Sequence, residues 1–209
     1  LFTRILFAKT LVGLTSGVLL GLLLYANLKV AAKPLSAFRY SRQDNVIELP
    51  PVELFDPLFK RLLIPGVLLV AFLALPQALA RWEPFLLFFN PTPFGVGDPH
   101  FGLDLGFYIF RLPALVAVYH WAMFALGLCF VATAAVYLLY RGIEYGPRGI
   151  FLSERARRHL LILLAALLAV KAGGYFLDGF ELLYTSHGVA FGASYTDIYA
   201  RLPALRVLT

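Results

Sequence analysis

Four long apolar runs, separated by short polar or basic stretches, set the hydrophobic pattern of this chain. The first covers residues 5–30, where Lys9 and Lys29 enclose 19 uncharged residues. A helix needs about 20 mainly apolar residues to cross a hydrocarbon layer of ~30 Å. The second, residues 62–80, fills the 19 positions between Arg61 and Arg81. The third, residues 113–140, predicts a helix of ~42 Å at 1.5 Å per residue, which must tilt or protrude. The fourth is residues 159–177, with Ser153 and Glu154 placed to begin its helix, and another apolar segment opens near Pro203. The pattern predicts an all-α fold: a polytopic transmembrane helix bundle of four full spans and the start of a fifth. Pro113 and Pro203 suit the first turn of their helices, whereas Pro76 should kink or terminate the second.

Between the runs lie segments of different character. Residues 90–113 and 178–202 are rich in Gly, Pro and aromatic side chains, too apolar for solvent loops and too interrupted for helix throughout. They read as structured caps on the outer face. Residues 46–60, VIELPPVELFDPLFK, carry spaced apolar residues and read as an amphipathic piece on the membrane surface. Within the runs, small residues recur every fourth position: Gly13, Gly17 and Gly21 in the first, Ala125, Cys129 and Thr133 in the third, Ala165, Ala169 and Gly173 in the fourth. That spacing lines one helix face and lets a neighbouring backbone come close.

Basic residues set the orientation. The connections 29–61 and 141–158 hold eleven Lys and Arg, and the alternate segments hold Arg4, Lys9, Arg81, Arg111, Arg201 and Arg206, which is six. The two basic loops are therefore expected in the cytoplasm and the caps outside, with the protein in the cell membrane. Phe101-Gly102 followed by Arg111-Leu112-Pro113-Ala114-Leu115 recurs as Phe191-Gly192 and Arg201-Leu202-Pro203-Ala204-Leu205, seven identities at an offset of 90. Two crossings separate the copies, so a parallel duplication of helix, cap and helix is expected.

Composition narrows the function. Of 209 residues, 60% are hydrophobic and 14% charged, against about 25% charged in soluble domains. The net charge of +6 sits in membrane-flanking loops, which argues against nucleic acid as a partner. The single Cys129 excludes an internal disulfide. Lys171, two turns before Asp178, is the leading candidate for an intramembrane polar site, with snorkelling to the interface as the plain alternative. His120 is in the right kind of setting to ligate a haem or chlorophyll metal, but it lacks a partner on its own helix and more simply hydrogen-bonds. His100 and His187 have no metal-ligand spacing, and the acids of the caps read as a solvated rim. GVGDPHFG follows no strand, so a phosphate loop is rejected. No catalytic residue and no cofactor is assigned.

FFNPTPFGVGDPHFGLDLGFYIFRLP, LLAVKAGGYFLDGFELLY and HGVAFGASYTDIYARLPALR together resemble the bacterial multi-pass membrane proteins of uncharacterised protein family 0182. The resemblance implies about seven N-terminal membrane helices and a large extracytoplasmic domain, of which this chain would be an internal piece. It implies no activity. Three readings stand. The first and favoured is a non-enzymatic accessory subunit or anchor, packed against other membrane subunits (for example of an energy-converting complex) and the rest of its own chain. The second is a transporter or channel using the repeat and Lys171, and the third an outer-face enzyme on lipid-linked substrates.

Overall fold

The computed structural model describes residues 2–33, 56–146, 149–184, 186–187 and 190–209. Helix α1 is Phe2–Ala31, α2 Asp56–Ala80, α3 Trp82–Phe88, α4 Leu112–Leu139, α5 Glu154–Glu181 and α6 Leu202–Leu208. Strands β1 (Ile143–Gly146) and β2 (Gly149–Leu152) form a hairpin between α4 and α5, and β3 (Ser186–His187) pairs with β4 (Ala190–Phe191). Four helices are long and apolar enough to cross a membrane: α1, α2, α5, and α4 with the turn Phe107–Arg111 that leads into it.

The helices outrun the apolar runs at their ends. α2 begins at Asp56, whose carboxylate takes an ion pair from Lys60 one turn later at 2.6 Å, so a charged turn precedes the apolar stretch. Residues 46–55 of the expected surface piece lie outside the described residues. α2 also runs through Pro76 to Ala80, so of the two outcomes expected there, a kink or a stop, the proline does not bring the stop. α5 begins at Glu154 behind Ser153, whose Oγ accepts the Ala156 amide at 3.3 Å, a side-chain cap on the first turn.

Pro113 stands in the first turn of α4, as expected, but helix already precedes that turn. A π-helical turn, Phe107–Arg111, precedes it, and the Leu112 amide reaches back five residues to the Phe107 carbonyl. A second π turn, Asp197–Arg201, stands before Pro203, with Leu202 bonded to the Asp197 carbonyl. Proline inside a helix removes an amide and crowds the carbonyl four residues back. A widened turn just upstream accommodates that, so the helix continues across the proline. Gly102 and Gly192, also 90 residues apart, have φ of 68° and 108°.

The described residues fall into two compact units, each built on its own core. One comprises residues 1–13, 76–124 and 166–209 and contains both caps. Its core gathers Tyr108, Leu112 and Phe180, with Phe101, Phe107 and Leu177 packed on them. The Phe101, Phe107 and Tyr108 rings lie 4.8 to 6.3 Å from the Phe180 ring. The other unit comprises residues 14–75 and 125–165, and its core is Ala31, Val136, Tyr137, Tyr140, Ala156 and Leu160. Here Gly17 and Gly21 of α1 face Leu75, Val67 and Ala71 of α2, and a Cβ on Gly17 would come within 3.2 Å of Leu75. Gly13, which belongs to the first unit, is buried as well. Ala125, Cys129 and Thr133 are fully buried along α4.

Candidate functional site

The first cap is organised by two aspartates rather than by its glycines. The buried Asp98 carboxylate accepts the amides of His100 and Phe101 at 2.8 Å, that of Leu103 at 3.2 Å and the Tyr108 hydroxyl at 2.6 Å. Asp104 accepts from Phe94, Gly95 and Gly106, the last two at 2.8 and 2.6 Å, and so caps the helical segment that begins at Leu105. Gly106 is required there, because a Cβ would lie 2.6 Å from the Thr92 carbonyl. Burial pushes the Asp98 carboxyl upward, but the Tyr108 hydroxyl and the three amides outweigh it and hold the group below the usual carboxylate range. The Asp104 carboxyl is likewise held down, chiefly by the Phe94 and Gly106 amides. In the second cap Asp197, 2% exposed, takes an ion pair from Arg201 at 3.0 Å and a hydrogen bond from the Ser194 hydroxyl at 2.8 Å. The expectation of a solvated acidic rim is therefore corrected at Asp98 and Asp197. Their oxygens are turned inward to satisfy backbone and side-chain donors that the tight turns would otherwise leave unpaired.

Lys171 is half-buried and does not meet Asp178. Its ammonium donates to the Tyr119 hydroxyl at 3.3 Å and stands 4.5 Å from the centre of the Tyr175 ring, a cation–π contact. Asp178 follows seven residues later, ~10 Å along the axis, too far for direct pairing. It lines an open groove of 410 Å³ with Glu181, Leu182, Arg201, Ala204 and Leu205, where two carboxylates and the Asp197-paired guanidinium meet apolar walls. His120 is exposed, because the residue after Tyr119 is turned ~100° away from the face that meets α5. The three candidate residues are thus held apart. Among the described residues no group of three or more His, Cys, Asp and Glu is placed to hold a metal ion.

The stripe Ala165, Ala169 and Gly173 is exposed, and a Cβ at Gly173 meets nothing within 4 Å. The close approach on α5 is one residue later. A Cβ on Gly174 would lie 2.6 Å from the Tyr119 hydroxyl and closer still to its ring. Fourfold spacing identified a small-residue face but not the glycine against which an aromatic ring rests.

A second polar constellation, in the other unit, centres on His159. Its Nδ1 is 3.0 Å from the Tyr137 hydroxyl and its Nε2 3.0 Å from Asn27 Oδ1, so one imidazole joins α1, α4 and α5. Tyr140 donates to Asp56 at 2.9 Å, joining α4 to α2. In the sequence His159 stands only as the first residue of an apolar run. The signal available was weak: single Asn, His and Tyr residues near the ends of three apolar runs.

Comparison with known proteins identifies a family. The profile of the uncharacterised protein family UPF0182 matches residues 1–209. A UPF0182 protein of Pelobacter propionicus is 35% identical over 212 residues, covering 100% of this chain and 24% of its own length. One from Geobacter sp. strain M21 is 37% identical, covering 100% of this chain and 23% of its own length. One from Kocuria rhizophila is 38% identical over 73% of the chain and 16% of its own length. The chain thus spans about a quarter, or less, of the curated relatives it matches. No solved structure matches it.

Proposed function

The chain belongs to the uncharacterised protein family UPF0182, and on that footing we propose that it is a non-enzymatic membrane scaffold. In this reading its helices anchor a larger protein in the cell membrane and pack against further helices, of that protein or of partner subunits. The carrying observation is how the polar groups of the spans are engaged. His159 bonds both Asn27 and Tyr137, and Lys171 bonds Tyr119. A transporter brings polar groups together at mid-depth, commonly at interrupted helices. Here they act as ties between neighbouring helices. The exposed Ala165–Ala169–Gly173 face offers a surface of the kind that a further helix packs on.

The same proposal places the basic connections 29–61 and 141–158 in the cytoplasm and the caps outside, supported by the count of Lys and Arg. It also treats residues 101–115 and 191–205 as copies of one unit. Support comes from seven identities, two π turns and two left-handed glycines, all at an offset of 90. A second reading rests on Lys171: a half-buried ammonium in a span is the kind of group that transporters use.

The test is made in the full-length protein in its native membrane. Ala165→Phe and Ala169→Phe are expected to leave insertion intact and to shrink the assembly seen on native gels after mild solubilisation. An unchanged assembly, together with loss of substrate or ion movement in Lys171→Met vesicles, overturns the scaffold in favour of the transporter.

A further inference from the structure

The hairpin β1–β2 is the one described extended element joined directly to two spanning helices. α4 is stopped by Arg141, in the left-handed region at φ 55°, while the Gly142 amide reaches back to the Tyr137 carbonyl at 2.7 Å. This is a helix stop that re-aims the chain within two residues. The Ser153 amide donates to the Gly142 carbonyl at 2.8 Å, closing the base of the hairpin directly against the capped start of α5. Little slack therefore separates the hairpin from the ends of the two helices.

Its faces differ. Ile150 and Leu152, two residues apart, share one face of β2 and are 58% and 38% exposed. Leu152 pairs across with Ile143, which packs on the core of its unit, so the exposed pair extends an apolar surface outward. Glu144 and Phe151 pair on the opposite face. Arg141 stands at the stem, and Arg157 and Arg158 are exposed in the first two turns of α5. Arg157 pairs with Glu154 at 2.7 Å, but a guanidinium has five N–H donors and holds a phosphate beside such a partner.

We propose that this hairpin lies in the headgroup layer of its own leaflet, with Ile150 and Leu152 dipped toward the acyl chains and the arginines on anionic phospholipid. The lipid surface is the occupant favoured here because the element is fixed at the end of two spans. Exposed arginines flank it in the chain, Arg141 before it and Arg157 and Arg158 after it, and apolar residues together with cations are the combination that interfacial segments use. This rests on the transmembrane fold and not on which side of the membrane the hairpin occupies.

The test uses the full-length protein carrying a nitroxide at Ile150→Cys, or at Glu144→Cys as the control. It is reconstituted in discs of phosphatidylglycerol or of phosphatidylcholine, and relaxation is read with oxygen and with a water-soluble nickel chelate. The Ile150 label is expected to relax faster with oxygen than with nickel, by roughly twofold or more in phosphatidylglycerol, and less so in phosphatidylcholine. The Glu144 label should show the reverse. Arg157→Gln/Arg158→Gln should lower the phosphatidylglycerol ratio to that in phosphatidylcholine. Three results overturn the proposal: an Ile150 label more accessible to nickel, one shielded from both agents by protein, or equal immersion in the two lipids.

Discussion

Gly173 and Gly174 are neighbours on α5 with opposite surroundings, so one methyl group placed on each in turn tests how this helix packs. A Cβ at position 174 would lie 2.6 Å from the Tyr119 hydroxyl, and one at 173 would meet nothing within 4 Å. Ordinary carbon contacts need about 3.5 Å or more, so the Tyr119 ring must retreat by roughly 1 Å to accept alanine. Its 3.3 Å bond from Lys171 then stretches out of range. Overpacking of this kind costs about 1–3 kcal/mol, and an interhelical hydrogen bond in a membrane protein contributes about 0.6 kcal/mol. Against these, replacing glycine in a helix returns about 0.5–1 kcal/mol. Gly174→Ala is expected to destabilise by ~1–2 kcal/mol, and Gly173→Ala to stabilise by up to ~1 kcal/mol. Reversible unfolding of the full-length protein in mixed micelles measures both. Repeating Gly174→Ala in a Tyr119→Leu background, where the ring is gone, should reduce its cost to about 0.5 kcal/mol or less. Equal effects of the two alanines, or a Gly174→Ala cost that survives removal of the ring, would refute this account.

Acidification should loosen the first cap. The Asp98 carboxyl is held low in the folded protein, so its stabilisation is complete above the unfolded value near ~3.9 and is lost as pH falls through the lower folded value. Hydrogen exchange at the His100, Phe101 and Leu103 amides should therefore accelerate only below about pH 4. Asp98→Asn should raise that exchange at neutral pH, with a loss of about 1–3 kcal/mol, because an amide nitrogen replaces one acceptor among four donors. Thr133 is fully buried and its hydroxyl has no hydrogen-bond partner among the described residues, so Thr133→Val should be neutral or stabilise by about 1 kcal/mol, read from unfolding midpoints. Asn27→Leu and Tyr137→Phe, singly and together, should show a coupling of about 0.5 kcal/mol or more through His159. An additive double mutant would mean that the imidazole does not tie the helices.

The spans were legible because composition alone selects a helix that can lie in lipid, where every backbone amide must find an internal partner. Polar ends were less so. Asp56 and Lys60 sit beyond the apolar run, but their ion pair lets α2 begin six residues before Leu62. The glycine stripe of α1 could be read from spacing because its neighbour α2 packs on that same face at Gly17 and Gly21. The corresponding stripe of α5 could not, since spacing finds a smooth face without saying what, if anything, covers it. Lys171, Asp178 and His120 share only that they lie in or near apolar runs and carry charge or an imidazole. The angle around a helix then separates His120 from Tyr119, and the rise along it separates Lys171 from Asp178.

The prolines carry the most instructive difference. Pro113 and Pro203 carry the same local signal as a helix-opening proline, since a first turn tolerates a missing amide. In the fold, helix already precedes each of them, and the conflict is resolved by a π turn ending two residues before the ring. That outcome depends on what lies upstream. Before Pro113, Asp104 starts the helix at Leu105 and Asp98 holds Tyr108 within the turn. Before Pro203, Asp197 is itself the first residue of the turn and pairs with Arg201 at its end. Different side chains thus support one backbone form at matching positions. This is the pattern expected if the geometry around Arg-Leu-Pro is the constrained feature and the residues that hold it are free to vary.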